Sequence, residues 1–270
     1  MAAQVSYRRG VAELAEFLGC EAAEQAVFEQ TRSADYAARL LRATRTERLL
    51  LDDGFPPADV AEPPERMASL GDCQIHPVLR LERIFGEGRE RVRAAAASAR
   101  ERGYSALKTI AAYRTGLDSL DPLVLEALDA NAQDPLPVQV HTGFGDADLL
   151  LSSANPALLK PVIERFPETP FVLLHCYPYV REAGWLAHVY ANVYLDVSLT
   201  IPFVSRPAEA LHEALELAPV SKLLYASDAA RSPELYFLAA KRWREALAEV
   251  VSGDDARAIL RENALTLYRL

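Results

Sequence analysis

The chain has 270 residues, 50% of them hydrophobic and 25% charged, which suits one α/β barrel domain of about 250 residues that takes up positions 1–270. Its formal net charge of −9, with no basic block, makes nucleic acids and anionic membranes unexpected partners. Three widely spaced cysteines, no signal-peptide core and no apolar run near 20 residues predict a cytoplasmic protein without a membrane span.

The first predicted element is helical and covers residues 9–45. Val11, Leu14, Phe17 and Leu18 recur at the three-residue and four-residue spacing of one helix face. The first run of strand character begins only near residue 48. We therefore expect this N-terminal helical segment to lie outside the barrel.

Seven apolar runs of strand character follow in chain order. Lys108, His141 and His175 are separated by 33 and 34 residues, and one βα unit needs about 30 residues or more. Runs of such continuous apolar character are typical of parallel strands, which are covered by helices on both faces. We predict a parallel α/β barrel whose strands end near Asp53, Leu79, Lys108, His141, His175, Ser198 and Asp228.

Three of these runs end at groups that bind metals or move protons. The residues are His141, His175 and Asp228, and the carboxyl ends of parallel strands share one mouth. Imidazole and carboxylate are zinc ligands, and a zinc-bound water ionises near neutral pH. A metal hydrolase is the first interpretation, with Asp228 as a ligand or as the acceptor of the water's proton. The alternatives are packing histidines and an Asp228 that caps the next helix.

Further polar residues are expected at the same mouth. Lys108 has two functional interpretations, a carbamylated bridge between two metals and a free amine that orients a substrate carboxylate, beside the alternative of a lysine extending from a strand end. Arg114, next to Tyr113, suits bidentate binding of a substrate carboxylate, although an exposed loop arginine is an equal alternative. Arg80 and Glu82 are also expected to face the mouth.

Together these segments resemble the amidohydrolase superfamily, and within it the amidohydrolase domain of FluG-type proteins. The matching stretches are Lys108–Leu117, Val138–Gly145, Leu173–Pro178, Val193–Ser198 and Tyr225–Ala229. The resemblance implies a TIM-type barrel, a divalent metal that is usually zinc, and hydrolysis of an amide or related bond. It also implies His141 and His175 as metal ligands and Asp228 as both ligand and proton acceptor, so that His175 and Asp228 form the catalytic pair.

One departure from the family pattern concerns its first strand. In the family this strand ends in His-x-His, two metal ligands, and the sequence contains no such motif. We therefore expect seven strands without the first family strand, an unpaired edge beside the first strand present, and weak or absent zinc binding. An exposed edge also favours pairing with a second copy of the chain, which would be a homo-oligomer.

Three functions follow from the sequence. The first is a metal-dependent hydrolase of a C–N bond, in a γ-glutamyl or other carboxylate-bearing amide. The second is a metal-dependent decarboxylase of the same superfamily, also with a small-molecule substrate. The third is a non-enzymatic relative that keeps the barrel for binding or assembly.

Overall fold

A computed structural model describes residues 4–57, 59–230 and 232–270. They form an α/β fold in which six parallel strands lie side by side in chain order. This half-barrel is consistent with the predicted TIM-type barrel. The strands are β1 (Arg48–Asp52), β2 (Gln74–Arg80), β3 (Ala106–Thr109), β4 (Val138–Thr142), β5 (Phe171–His175) and β6 (Val193–Leu195).

Helices surround the sheet and connect its strands, as parallel βα units require. Among the described residues, no helix is both long enough and apolar enough to cross a membrane. The α-helices are α1 (Val5–Leu18), α2 (Glu24–Gln30), α3 (Tyr36–Ala43), α4 (Pro64–Gly71), α5 (Arg89–Ala97), α6 (Pro122–Asn131), α7 (Lys160–Arg165), α8 (Val180–Val189), α9 (Pro207–Leu215), α10 (Pro233–Val250), α11 (Gly253–Arg257) and α12 (Asn263–Tyr268).

The alternation of side chains along each strand decides which residues enter the interior of the half-barrel. Val78 of β2 and Ala106 of β3 pack in one interior apolar cluster. Side chains two positions apart share a face of a strand, so Arg80 and Lys108 point to the same interior at its carboxyl edge. The interior residues placed at this edge by alternation are Asp52, Arg80, Lys108 and His141.

The opposite end of the interior is closed by the C-terminal helix. Tyr268 of α12 is buried in the interior cluster together with Val172, Leu174 and Leu224. The side-chain amide of Gln139 donates a hydrogen bond to the Tyr268 hydroxyl over 3.0 Å. This end of the interior is therefore filled, and Arg80, Lys108 and His141 lie at the other end, the carboxyl edge.

The N-terminal helical segment packs on the outside, against α10. It comprises three helices and begins at Val5, earlier than the predicted start at residue 9. Leu14 and Leu18 of α1 form an apolar cluster with Leu238, separate from the sheet. A buried ion pair joins α1 to α10, with Arg242 Nη2 at 2.9 Å from Glu13 Oε2.

The predicted seventh strand, ending at Asp228, is not a strand in the described residues. Leu223 makes a single parallel bridge to Leu195, and the Leu224 N–H donates to the Leu195 carbonyl over 2.9 Å. The next amide, that of Tyr225, instead donates to the Ile259 carbonyl over 3.0 Å. The ladder ends because the C-terminal segment takes this hydrogen bond, so the described residues contain six strands and not seven.

Candidate active site

The two histidines predicted as ligands lie side by side at the carboxyl edge. His141 is the fourth residue of β4 and His175 the last residue of β5, and their ring centroids are 4.5 Å apart. Both are buried, with 6% and 2% of their surface exposed. Asp228 enters from the loop before α10, with Oδ2 at 3.9 Å from His175 Nδ1 and 34% of its side chain exposed. The structure thus places His175 next to both His141 and Asp228.

The position of the His175 ring depends on an unusual backbone turn. Phe171 and Leu173 of β5 face the outer core, so strand alternation alone would also turn His175 outward. Instead φ is +67° at His175 and +64° at Cys176, a left-handed conformation that residues other than glycine rarely adopt. Such residues cost roughly 1–3 kcal/mol each and cluster at functional sites. The turn places the His175 ring beside His141.

Three polar residues after β6 hold this turn in place. The His175 N–H donates to Asp196 Oδ1 over 2.8 Å, and the Thr200 hydroxyl donates to the His175 carbonyl over 2.9 Å. Ser198 Oγ lies 2.8 Å from His175 Nδ1. Burial raises the pKa of Asp196 to about 6, although hydrogen bonds from His175 and Ser198 oppose the shift. From the sequence, Ser198 is predicted only as a strand end, and Asp196 is not predicted as a site residue.

Both imidazoles are neutral near pH 7. Burial is the largest cause that lowers the pKa of His141 well below its ordinary value, and the neighbouring His175 and Lys108 lower it further. Burial also lowers the pKa of His175 well below its ordinary value, followed by the charge of Lys108. A neutral imidazole keeps one ring nitrogen unprotonated, so each ring offers a lone pair to a metal or a proton.

Asp228 has the opposite shift. Removal of the carboxyl group from water raises its pKa, and the charge of Asp52 adds to this, whereas Lys108 and Arg80 lower it. Its backbone is also left-handed, with φ at +48°. A carboxylate with a raised pKa is a better proton acceptor than an ordinary surface aspartate.

A charged network borders the pocket on the side of β1, β2 and β3. Asp52 lies between two cations, with Lys108 Nζ at 3.1 Å and Arg80 Nε at 2.9 Å from its Oδ2. Burial alone would raise the pKa of Asp52, but Lys108 and then Arg80 reverse this and hold the pKa below its ordinary value. From the sequence, the strand is predicted to end near Asp53 and Asp52 is not predicted as a site residue, although an acidic residue at the end of an apolar run is a signal for one.

The same network bears on the two interpretations of Lys108. Its ammonium group pairs with Asp52 and also lowers the pKa of both histidines. Carbamylation would replace this cation with an anion directly against the Asp52 carboxylate. The arrangement therefore favours the free amine over the carbamylated bridge.

The other predicted substrate residues take different positions. The Tyr113 ring lies 4.7 Å from the His141 ring, and its hydroxyl accepts a hydrogen bond from the Asp146 N–H over 2.9 Å. Arg114 follows in an exposed position. Glu82 Oε1 accepts hydrogen bonds from the Thr109 hydroxyl and the Ile110 N–H, whereas its Oε2 is buried and has no hydrogen-bond partner. Those hydrogen bonds brace the loop that follows β3.

An aromatic group at the mouth was not predicted from the sequence. Phe144 follows β4, and its ring lies 6.4 Å from that of Tyr177, which follows β5, and 6.0 Å from that of Phe203. Tyr177 and Phe203 are 44% and 42% exposed. These rings come from three separate loops, so no local sequence pattern announces them.

With this geometry established, comparison with known proteins decides the family. The model of the family described as amidohydrolase matches residues 14–270. The chain belongs to the amidohydrolase family. It is 50% identical over 117 residues to protein fluG of Emericella nidulans, a stretch that covers 42% of this chain and 14% of fluG.

Two solved structures have similar folds. One is a Lactobacillus casei ATCC 334 protein assigned as a metal-dependent hydrolase, with a TM-score of 0.86 and 29% identity, covering 99% of this chain and 85% of the other. The second is 2,6-dihydroxybenzoate decarboxylase from Rhizobium, with a TM-score of 0.58 and 12% identity, covering 88% of both chains. The second likeness concerns the fold alone.

This amidohydrolase chain has metal-binding groups of the right kind. His141 Nε2 is buried and has no hydrogen-bond partner, as expected of a ring nitrogen that binds an absent ion. The donors around it, a second neutral imidazole and Asp228, are ligand types that zinc takes. However, within the described residues no three His, Cys, Asp or Glu side chains converge closely enough to enclose an ion. These donors are of a type that binds a divalent metal, but fewer than three of the described ones converge, whereas a typical catalytic zinc site has three protein ligands.

Proposed function

We propose that this amidohydrolase hydrolyses a C–N bond in a small substrate that carries a carboxylate, such as a γ-glutamyl amide. The observation that carries the proposal is the pairing of two neutral imidazoles, 4.5 Å apart, with Asp228 beside them and two cations across the pocket. The imidazoles and Asp228 are groups that can bind a metal or transfer a proton, while the cations can bind an anionic group of the substrate.

His141, His175 and Asp228 would hold a divalent metal, with zinc as the first choice. Such an ion, when bound, lowers the pKa of a bound water and polarises a carbonyl oxygen. Asp228, whose pKa is raised by its removal from water, would accept a proton during the reaction and return it to the leaving amine. His175 forms the catalytic pair with it.

The substrate carboxylate would bind on the side of Lys108 and Arg80. Asp52 fixes the ammonium and guanidinium groups before a ligand arrives, which lowers the entropy lost on binding. Arg114, which is exposed beside Tyr113, would contact the distal part of the substrate. Three free cysteines are consistent with a cytoplasmic protein. We also propose that the edge of β1 pairs with a second copy of the chain to form a homo-oligomer.

Product analysis tests the reaction. The full chain, supplied with zinc, is incubated with a panel of γ-glutamyl amides, other carboxylate-bearing amides and aromatic carboxylates. Release of ammonia or amine supports hydrolysis, release of carbon dioxide means a decarboxylase, and no turnover of any compound favours a non-enzymatic relative. The first result is expected, and the other two contradict the proposal.

The variants H141A, H175A and D228N should abolish turnover, because each removes a group of the pocket. H212A is the matched control, since His212 is exposed on α9 and is not part of the proposed site. Circular dichroism should show all four variants folded, because residues on a barrel rim contribute little to the core. Turnover retained by either histidine variant would remove that histidine from the proposed site.

A further inference from the structure

A buried chain of hydrogen bonds links Asp196, Ser198 and His175. Ser198 Oγ lies 2.7 Å from Asp196 Oδ1 and 2.8 Å from His175 Nδ1. All three side chains are buried, with 2%, 1% and 2% exposure. Asp196 and Ser198 belong to the segment that follows β6, and the amidohydrolase chemistry proposed above does not use them.

The direction of each hydrogen bond follows from the protons that each group can donate. Asp196 Oδ1 accepts from the His175 N–H over 2.8 Å, from the Ser198 N–H over 2.9 Å and from the Ser198 hydroxyl over 2.7 Å. A serine hydroxyl has one proton, and here that proton is directed to Asp196. Ser198 Oγ can then only accept from the ring, so His175 Nδ1 must carry the proton of the neutral imidazole.

We infer that Ser198 and Asp196 are positioning residues that fix His175 as its Nδ1–H tautomer and leave Nε2 as the unprotonated nitrogen. The ring so fixed lies with its centroid 4.5 Å from that of His141. The use of the Nε2 lone pair as a ligand or base rests on the proposed function, whereas the tautomer itself does not. Orientation of a histidine by its second ring nitrogen is a general way of fixing which nitrogen reacts.

The neighbouring groups support the same assignment. Asp228 Oδ2 lies 3.9 Å from His175 Nδ1, which is beyond hydrogen-bond distance, so Ser198 Oγ at 2.8 Å is the partner of this nitrogen. Thr200 acts on a different part of the residue, because its hydroxyl donates to the His175 carbonyl over 2.9 Å. Ser198 therefore controls the ring, and Thr200 holds the backbone turn.

Nitrogen-15 NMR of the full chain, labelled in its histidine rings, tests the inference without a substrate. The sequence has 5 histidines, and H175Q identifies the signals of His175 by their disappearance. In the unmodified chain at about pH 8, where an ordinary histidine is neutral, we expect a protonated Nδ1 and an unprotonated Nε2. A His175 protonated at Nε2 would overturn the inference without any further variant.

Two variants separate a tautomer effect from a loss of packing. S198A removes the acceptor of the Nδ1 proton, so the Nε2 signal should move toward the protonated position, whereas S198T keeps a hydroxyl and should restore the original pattern. T200V removes the hydrogen bond to the backbone carbonyl and should leave the ring pattern unchanged. If S198A keeps the full Nδ1–H pattern, or T200V changes it as much as S198A does, the positioning role is wrong. An inactive enzyme with the expected spectra would contradict only the proposed function.

Discussion

Asp52 controls the charge of the pocket at the scale of single residues. One carboxylate contacts both Lys108 and Arg80, and all three side chains are nearly buried. The two nearby imidazoles are neutral, so they do not add positive charge. Lys108 and Arg80 carry two positive charges against the one negative charge of Asp52 that they contact, which favours an anionic group of the substrate beside them.

The variant D52N should destabilise the protein by about 3–5 kcal/mol, because it leaves two buried cations without their acid. Lys108 and Arg80 outweigh burial and hold the pKa of Asp52 below its ordinary value. The stabilisation is therefore present above about pH 4, the pKa of an unfolded aspartate, and is lost as the pH falls through the lower folded value.

Urea unfolding between acidic and neutral pH measures this effect. D52N should lose the acid-dependent part of the free energy of unfolding, and E216Q, which changes an exposed acid after α9, should keep it. Parallel pH profiles for D52N and the unmodified chain would show that Asp52 is not the source.

Asp196 should have the opposite effect on stability. Its pKa is raised to about 6, first by burial, so the stability that it contributes is present below about pH 4 and is lost as the pH rises through 6. D196N keeps an acceptor oxygen for its three donors and removes the buried charge. At about pH 8 the free energy of unfolding of D196N should exceed that of the unmodified chain by up to about 3 kcal/mol. A less stable D196N at this pH would contradict the assignment.

At the scale of elements, the ion pair between Glu13 and Arg242 attaches α1 to α10. Arg242 is 1% exposed, and it also donates hydrogen bonds to the Pro202 and Ser6 carbonyls. E13A should destabilise the protein by about 3–5 kcal/mol, because a buried guanidinium loses its acid. E16A on the exposed face of the same helix is the control and should change little. Chemical denaturation measures the free energy of unfolding of both variants. Equal stability of E13A and E16A would contradict the role of Glu13 in attaching α1 to α10.

The strands show how far the sequence predicts elements. Apolar runs ending at Lys108, His141 and His175 locate β3, β4 and β5 to within one residue, because a buried parallel strand needs both faces apolar. The run that ends at Asp228 has the same pattern but no second ladder partner, since the amide of Tyr225 bonds to Ile259. An apolar run in the sequence predicts that a segment is buried. It does not predict which carbonyl accepts a hydrogen bond from each backbone amide, because that carbonyl lies in another part of the chain.

At the scale of the whole molecule, the site could be predicted in part. Histidines at strand ends carry a local signal, so the sequence predicts that His141 and His175 lie at one edge of the sheet, and their rings do lie side by side. Asp196 is not predicted as a site residue, because its role depends on the left-handed turn at His175, which local sequence does not reveal. The aromatic group of Phe144, Tyr177 and Phe203 likewise exists only when three loops meet.

The most direct test of the central claim, that His141 and His175 form the metal-binding part of an amidohydrolase pocket, is equilibrium dialysis of the full chain against zinc. We expect one weak site, because the described residues gather fewer than three close ligands. H141A and H175A should lose this binding, and H212A should retain it. Zinc bound equally well by H141A and H175A would contradict the claim, and tightly held stoichiometric zinc would show that the set of ligands is larger than the one identified.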